Sequence, residues 1–180
     1  MDFDQGDSPL PGNQDKLRAF KLLVHAEIES YIENAVLEVW NKCDHEWRIN
    51  NRVITPLGCL LMFSSSKFEA NDKQLVRNSR ISQSLESFKI VVANNNGIKR
   101  KNILQLVIPF GVDYSHIDQT WLSTIESYGN SRGLVAHNSY SVQKQLDKKD
   151  ELGDLGIVLM GLKEVDMKIQ KASRKRGKLF

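Results

Sequence analysis

The sequence predicts an all-α domain, and three observations lead there. Apolar residues recur at intervals of three and four along several long stretches, which is the period of an amphipathic helix. Helix-stopping Asn and Gly residues, such as Asn94 to Gly97 and Gly111, separate those stretches. With 180 residues, 41% of them hydrophobic and 26% charged, the chain is large enough for one domain with a substantial core and ordinary in composition. The expectation is a helical bundle of four longer helices plus short ones.

Residues 1–13 are acidic and contain Pro9, Pro11 and two glycines. They lack the apolar run of a signal peptide and read as a disordered lead-in, so a cytoplasmic protein is expected. The helical domain then covers residues 14–170. Its first helix is expected over residues 14–43, with Asn13 as N-cap. Leu17, Phe20, Val24, Ile28, Tyr31, Ala35, Val39 and Trp40 form its apolar side, and Lys21, Glu29, Glu33 and Glu38 the other. His25 lies one turn before Glu29 and reads as a structural residue in local contact with it.

Asn50-Asn51 and Thr55-Pro56 mark turns. Residues 57–63 are a short apolar run compatible with strand or helix, and context favours helix. A second long helix is expected over residues 66–93, with Phe68, Leu75, Leu85, Phe88 and Val92 inward. Lys99, Arg100 and Lys101 open the next segment; such a triplet suits phosphate or simply a solvated surface. Residues 102–110 are ambiguous between strand and helix. The third long helix is expected from Ser115, as its cap, to about His137. A polar connection over residues 138–146 leads to a last helix with Leu152, Leu155, Leu159, Leu162 and Ile169 as its stripe. Gly153, Gly156 and Gly161 lower its helix propensity but permit a neighbour's close approach. Residues 171–180 form a basic tail, suited to an RNA backbone or to solubility alone.

The candidate site is carried by Arg132 and His137, five positions apart near the end of the third long helix. Arg132 falls seven residues after Ile125, on the stripe that also holds Trp121 and Tyr128. A charge on a buried stripe is costly unless it is matched. His137 lies about 140° further round an ideal helix, so the two side chains converge only if the helix frays or a second chain contributes. Arginine offers a permanently charged fork that fits phosphate. Histidine titrates near neutrality and moves protons. Together they suit cleavage of RNA by its own 2′-hydroxyl, without metal. A plain structural reading fits as well: Arg132 paired with a core carboxylate, and His137 ending a helix.

Other chemistries find little support. A net charge of +3 is a weak argument for nucleic acid on its own. Cys43 and Cys59 form no disulfide framework, and with His45 they make an irregular set of three, so no metal site and no cofactor are expected. No apolar run approaches the roughly 20 residues of a membrane span. There is no internal repeat and no glycine-rich phosphate loop.

Three stretches carry a family resemblance: His25-Ala26-Glu27-Ile28-Glu29-Ser30-Tyr31-Ile32-Glu33; Asn96-Gly97-Ile98-Lys99 leading to Ile108-Pro109-Phe110-Gly111-Val112; and Ser131-Arg132-Gly133-Leu134-Val135-Ala136-His137-Asn138-Ser139. Over about residues 15–170 the chain resembles a HEPN-superfamily domain of the RiboL-PSP-HEPN type. The resemblance implies a HEPN-like bundle that forms a homodimer, with two Arg/His motifs facing each other in one composite ribonuclease cleft. It implies metal-independent cleavage of RNA, in a toxin–antitoxin or antiphage defence setting with an antitoxin or defence partner protein. Arg132 and His137 would be catalytic, with Asn138 and Ser131 in support. Two departures stand out. Many active members have a polar residue where this chain has Gly133. The tyrosine that some toxins carry two places after the histidine is Ser139 here, with Tyr140 one place further on. The alternative function is a non-catalytic HEPN module binding RNA or a partner protein.

Overall fold

A computed structural model describes residues 11–64, 73–137 and 145–174. Of residues 11, 12, 73–77 and 133–137 it describes the backbone alone. Among the described residues the chain is helical, with no strand: α1 (Pro11–Arg48), α2 (Thr55–Phe63), α3 (Lys73–Ala93), α4 (Arg100–Val107), α5 (Gln119–His137) and α6 (Lys148–Arg174). The expected four longer helices are α1, α3, α5 and α6. No described helix is long and apolar enough to cross a membrane.

Helix α1 is the spine. Leu17, Lys21, His25, Ile28, Ile32, Ala35, Val39 and Cys43 are buried at steps of three and four, the spacing of one helix face. It runs five residues past Cys43, because Trp47 continues the buried row and Arg48 bonds Asp44 at 2.6 Å one turn back. Two assignments of faces are corrected. Tyr31 stands exposed, whereas Lys21, expected on the polar side, is 3% exposed. Its ammonium bonds both carboxylate oxygens of Glu151 at 2.7 Å and lies 5.2 Å from the centre of the Tyr128 ring. A residue-by-residue polarity pattern cannot reveal that a lysine's partner sits 130 positions away.

Helix α6 runs parallel to α1. Gln14 exchanges two hydrogen bonds with the backbone of Leu146 at one end, and Lys42 donates to the carbonyl of Ser173 at the other. Asp147 caps α6, accepting from the amides of Lys149 and Asp150. The buried stripe of α6 is Val158, Leu162, Val165, Ile169 and Ala172; Leu152 and Leu159, expected inside, are exposed. Leu159 helps to line an apolar groove of about 610 Å³ between α1 and α6, with Phe20, Leu23, Tyr31 and Leu155 among others. Of the three glycines, only Gly161 meets a neighbour: a Cβ there would lie 2.1 Å from Trp121 Cδ1, while Gly153 and Gly156 face open space. The Trp121 indole spans that point and donates to the carbonyl of Val158 at 3.0 Å.

The ambiguous segment after Lys99 is helical. Ile103, Leu106 and Val107 of α4 are buried, and a 3-10 turn (Ile108–Phe110) seats Phe110 edge-on against Phe88 at 4.6 Å. Gly111 closes the turn at φ +86°, where a Cβ would also strike Cys59 Sγ at 2.8 Å. Helix α5 starts at Gln119 rather than Ser115. Ser115 belongs to a separate 3-10 turn (Tyr114–His116) and donates to Asp113. Asp118 is the cap of α5, accepting from the amides of Thr120 and Trp121. Helix α3 buries Leu85, Phe88 and Val92 as expected, and Ile81 as well; Phe68, and the side chain of Leu75, lie outside the described residues. The polar connection falls largely outside them too.

Candidate functional site

The candidate site stands at the C-terminal half of α5, where that helix leaves the core. Trp121, Leu122, Ile125 and Tyr128 bury one side of the helix, and the next position on that side is Arg132. Continuing a buried stripe with an arginine leaves the residue half-buried. Its Nε is removed from solvent and has no acceptor among the described residues. The helix beneath it is pinned: Tyr128 packs under the Lys21 ammonium, which Glu151 holds from α6. Burial first, then the charges of Glu151 and Asp154, push the Tyr128 phenol up to about 12.

Across from Arg132, α1 presents His25 and Glu29 on one face, four residues apart. His25 is 2% exposed, and its Nδ1 has no hydrogen-bond partner. Burial, then the positive charges of Arg132 and Lys99, lower its pKa to about 4. His25 is therefore neutral near pH 7, and its 3.7 Å approach to Glu29 is not an ion pair there. The Glu29 carboxyl is pushed up by burial and by Glu33, and pulled down by Arg132 and by a hydrogen bond from the Gly97 amide.

The loop between α3 and α4 braces this arrangement. Asn95 donates to Glu33 at 2.8 Å and to the carbonyl of Gly97 at 3.1 Å, and Asn102 donates to Asn95. Lys99 is the N-cap residue of α4, and its side chain lies across α5 at Gly129, where a Cβ would come within 2.9 Å of Lys99 Cγ. The Arg100 amide donates to Glu126 of α5 at 2.9 Å. The basic triplet thus divides. Arg100 bonds Tyr114 and Gln119, and Lys99 and Lys101 are exposed, the Lys99 charge also acting on His25.

Ser131 is near Arg132, but its hydroxyl donates to the carbonyl of Tyr128 at 2.7 Å, one turn back along its own helix. His137 ends α5, which is helical throughout the interval from Arg132. The two positions are therefore separated by about 7.5 Å along the axis and about 140° around it, and do not share a face. The side chain of His137, and Asn138 and Tyr140 altogether, lie outside the described residues. The action of the Arg132 charge on His25 and Glu29 across from it was not foreseen. The one available signal was His25, a polar residue on the apolar row of α1. Among the described residues, no three His, Cys, Asp or Glu side chains are grouped to hold a metal ion.

Chemically, the cluster is a permanent cation held half out of water, with a carboxylate and a neutral imidazole behind it. Such a guanidinium is equipped to grip a phosphate oxygen. A family model described as RiboL-PSP-HEPN matches residues 2–160 of the chain. Neither a curated protein nor a solved structure matches it.

Proposed function

The chain belongs to the RiboL-PSP-HEPN family, and from that premise we propose that it is a metal-independent endoribonuclease acting in toxin–antitoxin or antiphage defence. The observation that carries this reading is the half-buried Arg132, whose Nε has no acceptor among the described residues, on a helix that continues unbroken to His137. In the proposed reaction the 2′-oxygen of a ribose loses its proton and attacks the adjacent phosphorus. The bond to the 5′-oxygen breaks, and that oxygen takes up a proton. The products are a 2′,3′-cyclic phosphate and a free 5′-hydroxyl. Arg132 offsets the charge growing on the phosphoryl oxygens, and His137 moves a proton at one of the two ribose oxygens.

The roughly 140° offset between positions 132 and 137 supports a composite site, in which the Arg132 of one protomer acts with the His137 of its partner. Asn138 is proposed to support the histidine. Ser131 is proposed as a helper only through its hold on the helix backbone, since its proton is already given to Tyr128.

The test is cleavage of total RNA and of tRNA by wild type, Arg132→Lys and His137→Ala, each with its thermal melt. His137→Ala at a helix end should shift stability by no more than about 1 kcal/mol and lower cleavage by roughly a hundredfold or more. Arg132→Lys keeps the charge but loses the fork, and should stay largely inactive. Wild-type cleavage should survive EDTA; loss in EDTA with recovery on adding a divalent ion would remove this mechanism. Wild type that binds RNA and leaves all of it intact would favour the non-catalytic module.

A further inference from the structure

Three consecutive cations, Lys99, Arg100 and Lys101, open α4 where it meets α5, and Arg132 is a fourth on α5 itself. No ion pair among the described residues includes any of the four. Arg18, Lys21, Arg48, Arg52 and Lys168, by contrast, each reach a carboxylate. Contacts between the helices fix where the four stand. The Arg100 amide donates to Glu126 at 2.9 Å, and the Lys99 side chain covers Gly129. Glu126, Gly129 and Arg132 are successive steps of three on one helix, about 4.5 Å apart along its axis.

The Arg100 guanidinium reaches back along α5. It bonds the Tyr114 hydroxyl, and Gln119 Oε1 at 2.9 Å, while Tyr114 donates to the same Gln119 oxygen at 2.7 Å. Neither acceptor is a carboxylate, so the charge is held in place without being cancelled. The carboxylates of these segments are engaged elsewhere. Glu126 takes the Arg100 amide, Asp118 caps α5, and Asp113 accepts from Ser115. Lys99 and Lys101 are exposed. From Gln119 to Arg132 the row covers about 20 Å of helix.

We infer that Lys99, Arg100 and Lys101 form a backbone track for single-stranded RNA, leading along α5 to the phosphate held by Arg132. A single anion would need only one of these cations. A chain with one phosphate per repeat matches several in a row, and releases counterions from each contact. The inference rests on the reading of the chain as an RNA-cleaving enzyme. It adds a sequence-independent hold on the strand beside the scissile bond.

The probe is a fluorescent 2′-O-methyl oligouridine of about 12 nucleotides, a length within the span of single-strand sites. With its 2′-oxygen blocked it binds without being cleaved. Anisotropy titrations over a range of salt compare wild type with Lys99→Gln/Lys101→Gln. The control is Lys89→Gln/Lys163→Gln, which removes the same charge from exposed positions on α3 and α6. Each protein is first shown by its melt to be folded. Single strands lose roughly 0.7 of salt slope per phosphate contact, so the first pair should lower the slope by about 1.4. At about 0.1 M salt it should weaken binding by about tenfold or more. Cleavage of unmodified RNA should then show a raised KM with little change in kcat, because the track binds ground and transition states alike.

If the Lys99/Lys101 pair binds the oligomer with the affinity and salt slope of the control pair, the inference is wrong, even where wild type cleaves RNA. Wild type that fails to bind the oligomer at low salt overturns it as well. If the slope falls as expected while wild type cleaves no RNA, the track stands and the ribonuclease reading falls.

Discussion

His25 is the residue whose surroundings make the most specific claim about solution behaviour. Its pKa is depressed to about 4 in the fold, against 6.5 as the ordinary value. The unfolded chain therefore binds a proton in a range where the folded chain does not, and stability must fall as pH drops from 6.5 toward 4. A shift of this size corresponds to a loss on the order of 3 kcal/mol across that window. Glu29 acts in the opposite sense, because its raised pKa makes the folded state the tighter proton binder. Thermal melts of wild type and His25→Asn between pH 7 and pH 4 should isolate the histidine, with the variant showing the flatter curve. A second expectation follows from the same charges. Arg132→Ala removes one of the causes of the shift, so the His25 imidazole should titrate at higher pH when followed by NMR. An unchanged titration would mean that Arg132 does not face His25. The low pKa also separates the two histidines in function: His25 is not poised for acid/base work near pH 7, and a cleavage profile with a limb near pH 4 would argue against that assignment.

Between elements, two contacts govern how α5 sits on its neighbours. At Gly161 the Trp121 ring occupies the space a Cβ would need. Gly161→Ala should destabilise by about 1–3 kcal/mol as overpacking, or more if the Trp121–Val158 bond is also lost. Gly156→Ala has open space and should be neutral or stabilising by up to about 1 kcal/mol through helix propensity. Chemical denaturation of both variants checks the contrast, and equal effects would mean that Trp121 does not lie across Gly161. The second contact is the Lys21–Glu151 pair, with Lys21 sealed from water and Tyr128 beneath it. Lys21→Ala strands Glu151 and should cost about 3–5 kcal/mol. The paired change Lys21→Met with Glu151→Leu should recover most of that loss. Because Tyr128 is one turn before Arg132, the single variant should also disturb the site, which RNA cleavage would register.

For the whole molecule the question is whether one chain makes a site. The unbroken path of α5 turns positions 132 and 137 away from each other, so two protomers are expected to act together. Light scattering should report about twice 20.5 kDa. Mixing the inactive Arg132→Ala and His137→Ala proteins should restore part of the cleavage, since a mixed dimer contains one intact arginine and one intact histidine. A strictly monomeric mass at high micromolar concentration, or no recovery on mixing, would count against the composite site.

The sequence by itself determined the helical class, the four longer helices and the arginine on a core stripe. Those features follow from periodicity and from stop signals such as Asn94–Gly97, which act locally. It also placed the two motif residues at positions of one helix that diverge, because the pitch of a helix is a property of the backbone. The faces of α1 and α6 were only partly legible. Lys21 looked solvated until Glu151 met it, and Leu152 and Leu159 looked buried until Val158 and Val165 took the inner side. Helix starts were missed where one polar residue competes with another, as Asp118 does with Ser115. The surroundings of Arg132 were decided by tertiary structure alone. His25 and Glu29 are more than 100 residues from it in sequence, and Lys99 more than 30, and only the packing of α1, α4 and α5 brings those charges within reach of one another.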